Sequence, residues 1–256
     1  MMLYDTLSIQ EVVDSESADE FLKEASKLAS SSELENIARQ LEKKQTMFAE
    51  YLRAENLVKM ETEDFAQLMN HIFSIRRRAA KIVKAVGVEN LRAATITLLY
   101  GEGETENRFE AFVKAISKTV DRRRCINLAS ELLHFNDPQK NCLWTNWIWD
   151  SQTGSGAISM VVNEEVELDG KSDSERYRNI SAALRMVEVL GHSRNISGNA
   201  AGMLGMDLYL ACVHAVYMYT VFRLKMSDEF NRILPELPEL VERVLGVRQL
   251  EVSMNE

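Results

Sequence analysis

The sequence is poor in the residues that break chains, with 3 prolines and 11 glycines in 256 positions. That is too few for a β-sandwich or barrel, whose many short strands need frequent turns. Cysteine is scarce too: Cys125, Cys142 and Cys212 are an odd number without Cys-x-x-Cys spacing. Such cysteines suit reduced, buried thiols in a cytoplasm, not a disulfide framework. The start, MMLYDTLSIQEVVDSESADE, lacks a basic segment leading into an apolar run, so no signal peptide is expected. The most apolar run, Leu208–Phe222, is about 15 residues, short of the roughly 20 that span a bilayer, and no membrane association is expected. Positive charge is the minority, with 30 Lys and Arg against 39 Asp and Glu, a net −9. A surface that coats nucleic acid or anionic lipid throughout is thereby disfavoured.

What is present is ordinary globular material, 46% hydrophobic and 27% charged. At roughly 150 residues per domain the length fits one or two domains. A chain this long can bury about 70–75% of its unfolded surface, so it needs no metal or disulfide staple. The expected fold is all-α, nine or ten helices around a buried apolar helix at 206–226, with at most one extended segment near 157–166. It reads as a single helical domain over 1–256, or as a subdivision into 1–150 and 172–256 around a 151–171 loop.

Periodicity supplies the elements. Ser17-Ala-Asp-Glu20 and Ser172-Asp-Ser-Glu175 have capping-box spacing. Residues 33–57 predict one long helix, and Thr62 opens another running through Phe65, Ile72, Ile82 and Val86 to a terminating Gly87. Shorter helices follow over 89–100, 105–118 and 121–135, the last with Asp121 as N-cap. Ser227 is read as the cap of a helix over 228–234, and a final amphipathic helix ends at Gly246.

Charge is uneven. Residues 1–70 carry 7 basic and 15 acidic side chains, residues 71–150 carry 13 and 9, and residues 151–256 carry 10 and 15. The basic middle holds two clusters: Arg76, Arg77, Arg78, Lys81 and Lys84 on one expected helix, and Arg122, Arg123 and Arg124 at the start of another. Consecutive helical positions turn by about 100°, so three successive arginines cannot all meet one phosphate backbone. Two readings stand for these clusters: solvated faces paired with the acidic ends, or a contact with nucleic acid or an acidic partner. Trp144 and Trp147, with Trp149, form a third candidate surface, since tryptophan and arginine are enriched at binding hot spots.

Glu131-x-x-His134 puts a carboxylate and an imidazole on one helix face, as helical di-metal sites do. No second such motif is present, so the pair is a weak metal candidate and no metal is assigned. His192, Arg194 and Asn199 lie in a loop rich in Gly, Ser and Asn before the apolar helix, and His214 decorates that helix. Together they are a candidate pocket, where a helix N-terminus could favour an anion. No Gly-x-Ser-x-Gly, Walker A or His-Glu-x-x-His pattern occurs, and no cofactor or catalytic residue is assigned.

One stretch resembles a known family. Leu132-Leu-His-Phe-Asn-Asp-Pro138 followed by Leu143-Trp144 is similar to a signature of helix-hairpin-helix proteins related to DNA base-excision glycosylases. Leu98-Leu-Tyr-Gly101 and Arg108-Phe109 extend the likeness over residues 90–150. The resemblance implies hairpin glycines just before Leu128 and a catalytic aspartate just after Trp144. Arg123 and Cys125 stand at the first positions, and Thr145-Asn146 at the second. Glycines there would let backbone amides approach a phosphate, which side chains hinder. The expectation is a cytoplasmic accessory protein, without catalysis, that docks on a protein partner; the alternative is a helical module contacting nucleic-acid phosphates through its basic middle third.

Overall fold

The computed structural model describes residues 8–193, 202–225 and 235–248, and the fold over them is all-α. Twelve α-helices occur among these residues: α1 Ile9–Val12, α2 Ser15–Leu28, α3 Ser31–Leu52, α4 Ala54–Leu57, α5 Thr62–Asn70 and α6 Ala79–Val86. They continue as α7 Val88–Tyr100, α8 Thr105–Ile116, α9 Arg122–Asn136, α10 Asp173–Ser193, α11 Gly202–Lys225 and α12 Leu237–Leu245. Arg76–Arg78 and Ile158–Met160 form single 3-10 turns. The expected extended segment near 157–166 is reduced to an isolated bridge between Val162 and Val13.

Local chemistry explains most helix ends. The Asp121 carboxylate accepts the Arg124 amide and opens α9 as expected. Gly87 (φ 83°) closes α6, and Gly246 (φ 72°) closes α12 in the left-handed conformation. At α10 the Ser172 hydroxyl caps the Glu175 amide, while the Glu175 carboxylate reaches the Lys171 amide rather than that of Ser172. The box at Ser17–Glu20 does not form, because Asp14 caps first, accepting the amides of Glu16 and Ser17. The expected helix over 228–234 lies outside the described residues.

Two long helices are broken. Residues 33–57 divide into α3 and α4, and the run from Thr62 to Gly87 divides into α5, the 3-10 turn and α6. Inside that second break, Ile72 and Ile75 are wholly buried, and the Asn127 side-chain amide donates to the Ser74 hydroxyl at 2.7 Å. The Asn127 side-chain oxygen accepts the Asn146 amide at 3.1 Å. A polar contact from α9 therefore fixes the segment between α5 and α6.

The chain divides into two compact units that alternate along the sequence. Among the described residues the first comprises Glu42–Asn146 and Glu167–Ala182; the second comprises 8–41, Trp147–Val166, 183–193, 202–225 and 235–248. Within the first, α5, α6, α7, α8 and α9 pack in succession, α9 also against α7. Its aromatic centre is Phe109, whose ring stacks on Tyr177 at 4.6 Å and on Trp144 at 5.5 Å. Each such pair contributes about 0.5–1.5 kcal/mol beyond the area buried.

In the second unit α11 packs against α2 and α12. Its residues Gly205–Val213 are buried all round, Asp207 included, and the Tyr209 hydroxyl donates to the Ala18 carbonyl at 2.9 Å. Helix geometry lengthens the apolar run beyond 15 residues: Gly202–Val221, at 20 residues, is long and apolar enough to cross a bilayer by length and composition. Most of that stretch is buried inside the protein.

Candidate basic surface

The first basic cluster is not on one helix. Arg76, Arg77 and Arg78 occupy the 3-10 turn, and Lys81 and Lys84 belong to α6. Apolar spacing decides which way they face. Ala79, Ile82, Val83 and Val86 are buried, so Arg77, Arg78, Lys81 and Lys84 are left exposed. Among the described residues none of these four forms an ion pair. The sequence gives a reason: residues 65–88 contain no Asp or Glu at all. Arg76 sits differently, with its guanidinium carbon 5.1 Å from the centre of the Phe73 ring.

The second cluster is engaged with its own chain. Arg122 donates to Asp173 at 2.5 Å, and Arg124 lies 3.5 Å from Asp121. Arg123 is half-buried. Burial pushes the Asp173 carboxyl above the usual aspartate range, while Arg122 and Arg176 pull it back. Of the two readings for the basic middle, solvated faces and internal pairs describe residues 122–124, and an open cationic stripe describes 77–84.

Trp144 is a correction. It is 1% exposed, with its ring in the Phe109–Tyr177 stack and its amide donating to the Ser130 hydroxyl at 2.6 Å, so it offers nothing to a partner. Trp147 and Trp149 are half-buried. The Trp147 ring packs 5.9 Å from that of His214, whose imidazole burial pushes down to about 4. His214 is thus a neutral ring in an apolar setting near neutral pH.

The helical Glu131 and His134 are both buried but face separate tasks. Glu131 takes the Lys44 ammonium at 2.7 Å. His134 donates from Nδ1 to the Asn141 carbonyl at 2.8 Å, and the Asn141 side-chain amide returns to the carbonyls of Leu133 and Asp137. The Leu132–Pro138 motif therefore closes the end of α9 onto the loop that follows. No group of three or more His, Cys, Asp or Glu placed to hold a metal occurs among the described residues. Arg123 and Cys125, at the positions where the resemblance implies glycines, lie in the first turn of α9.

Of the candidate pocket, Arg194 and Asn199 lie outside the described residues, as does the side chain of His192. A groove of about 560 Å³ is found in the other unit, lined by Ala93, Ala94, Ala111, Phe112, Ala115 and Lys118 among others. None of the expected site residues lines it. All three cysteines are buried, and burial pushes the Cys125 and Cys212 thiols up to about 12. A thiol so placed holds its proton and is a poor nucleophile.

Sequence reasoning found the stripe residues but missed Phe73 and Lys44. Phe73 carried a signal: an aromatic three residues before an arginine meets it on a helical turn. Comparison with protein-family models, curated proteins and solved structures finds no match for the chain.

Proposed function

We propose that the chain is a binding protein that holds the phosphate backbone of nucleic acid on the stripe Arg77, Arg78, Lys81 and Lys84. The observation that carries this reading is four exposed cations without an ion pair among the described residues, within a 24-residue stretch free of acid. At 1.5 Å per helical residue the stripe is about 10 Å long. That spans roughly three intervals between phosphates of one strand, at 3.4 Å of duplex axis each, and so four phosphates. The resemblance over residues 90–150 points the same way, toward a DNA-contacting ancestry with the catalytic aspartate missing. The protein-partner reading loses one of its candidate residues with Trp144 in the core, while Trp147 and Trp149 stay half-buried.

A net charge of −9 opposes any polyanion at long range, so binding should be weak and steep in salt. Four phosphates neutralised give a slope of log affinity against log salt of about −3.6 on duplex and about −2.8 on a single strand. Fluorescence anisotropy with a labelled 20-mer, from 50 to 200 mM salt, measures it. Replacing all four residues by alanine should bring the slope close to zero. No retention at 50 mM salt, or a slope the fourfold variant leaves unchanged, would sink the proposal.

A further inference from the structure

Beside the stripe stands the exposed aromatic ring of Phe73, 40% accessible where most phenylalanines of the unit are buried. The backbone that carries it is held in place. The backbone on either side is anchored by the buried Ile72 and Ile75, and Ser74 is held by the Asn127 amide. The Ile75 amide donates to the Ile72 carbonyl at 3.0 Å, the Arg76 amide to the same carbonyl at 2.9 Å, and the Arg78 amide to the Ile75 carbonyl at 2.7 Å. The Arg76 guanidinium lies over the ring, within the roughly 6 Å at which a cation and a π-face attract. The result is an exposed ring on an anchored stretch of backbone, with a cation over it, just before four further cations.

We infer that Phe73 and Arg76 form a stacking platform for an unpaired base, which makes single-stranded nucleic acid the ligand of this surface. This rests on the phosphate-binding reading above and specifies its substrate. A base within a duplex keeps its faces stacked on its neighbours and cannot lie on a protein ring without being extruded. A single strand offers each base face freely, and aromatic rings beside a cationic track are how such strands are held without sequence preference. An acidic polypeptide would satisfy the cations, but it presents an aromatic face only where its sequence supplies one, whereas every nucleotide of a strand carries one.

The test uses the full chain with three labelled 12-mers: oligo(dT), a duplex of equal length, and an abasic phosphodeoxyribose strand. Oligo(dT) is expected to bind about tenfold tighter than either of the others, the worth of one stacked base. Phe73→Ala should remove that advantage and leave the salt slope unchanged, because no phosphate contact is lost. Phe73→Trp should retain it, which separates stacking from a general effect on folding. If the three oligomers bind alike, or Phe73→Ala binds oligo(dT) as wild type does, the platform is overturned while the phosphate-binding reading stands. If none of the three binds, or a poly-glutamate peptide binds as tightly as oligo(dT), both fall.

Discussion

Lys44 has no solvent exposure, and its ammonium is held by Glu131 while it lies 4.2 Å from the centre of the Phe135 ring. Taking two charges out of water costs several kcal/mol per ion, which their attraction offsets only when both are present. The Glu131→Leu variant would leave a buried ammonium deprived of its carboxylate, and should lose about 3–5 kcal/mol of stability in urea unfolding. Adding Lys44→Met to it should recover most of that loss, because a well-packed apolar pair is close to neutral in exchange for a buried ion pair. A loss below about 1 kcal/mol in the single variant, the range of exposed pairs, would show that the pair is hydrated in solution.

Among the elements, the segment after α9 is the least regular and the most dependent on one residue. The Trp147 carbonyl accepts the Ala157 amide at 2.9 Å, and the Ile148 carbonyl accepts that of Ile158 at 3.2 Å, with the chain doubling back between them. Gly156 makes this close approach possible, since a Cβ there would stand 2.1 Å from the Ile148 carbonyl oxygen. Gly156→Ala should therefore cost about 1–3 kcal/mol, as overpacking does, read by the urea midpoint. A neutral result would mean the doubled-back chain shifts freely. Elements governed by their own neighbours were legible in the sequence: Asp121, Gly87 and Gly246 act within one turn of where they stand. The break between α5 and α6 was not, because Phe65, Leu68, Met69, Ile72, Ile75, Ala79, Ile82 and Val86 keep a helical spacing straight through it. The Asn127–Ser74 bond spans 53 positions, and the partner that turns Glu131 from a metal candidate into half of an ion pair lies 87 away. Neither distance leaves a mark on local periodicity. The stripe itself was legible as composition, but which of the two arginine clusters stays open depended on Asp173, which belongs to a distant helix.

Over the whole molecule, the units interleave along the chain, whereas a single boundary at 151–171 would cut it once. Glu167–Ala182 returns to the unit built mainly from Glu42–Asn146, bringing Tyr177 to the Phe109 ring and Asp173 to Arg122. A fragment ending at residue 150 lacks both, so it should melt without a cooperative transition in differential scanning calorimetry. Cooperative melting of that fragment at the temperature of the full chain would mean that residues 167–182 are dispensable to the first unit. The unit boundary at Asn146–Trp147 also divides the tryptophans, one on its near side and two beyond it. Trp144 lies in a dry aromatic stack, whereas Trp147 and Trp149 are half-buried. The two units should therefore differ in intrinsic fluorescence, with Trp144→Phe expected to remove the blue side of the emission and Trp147→Phe to leave it in place.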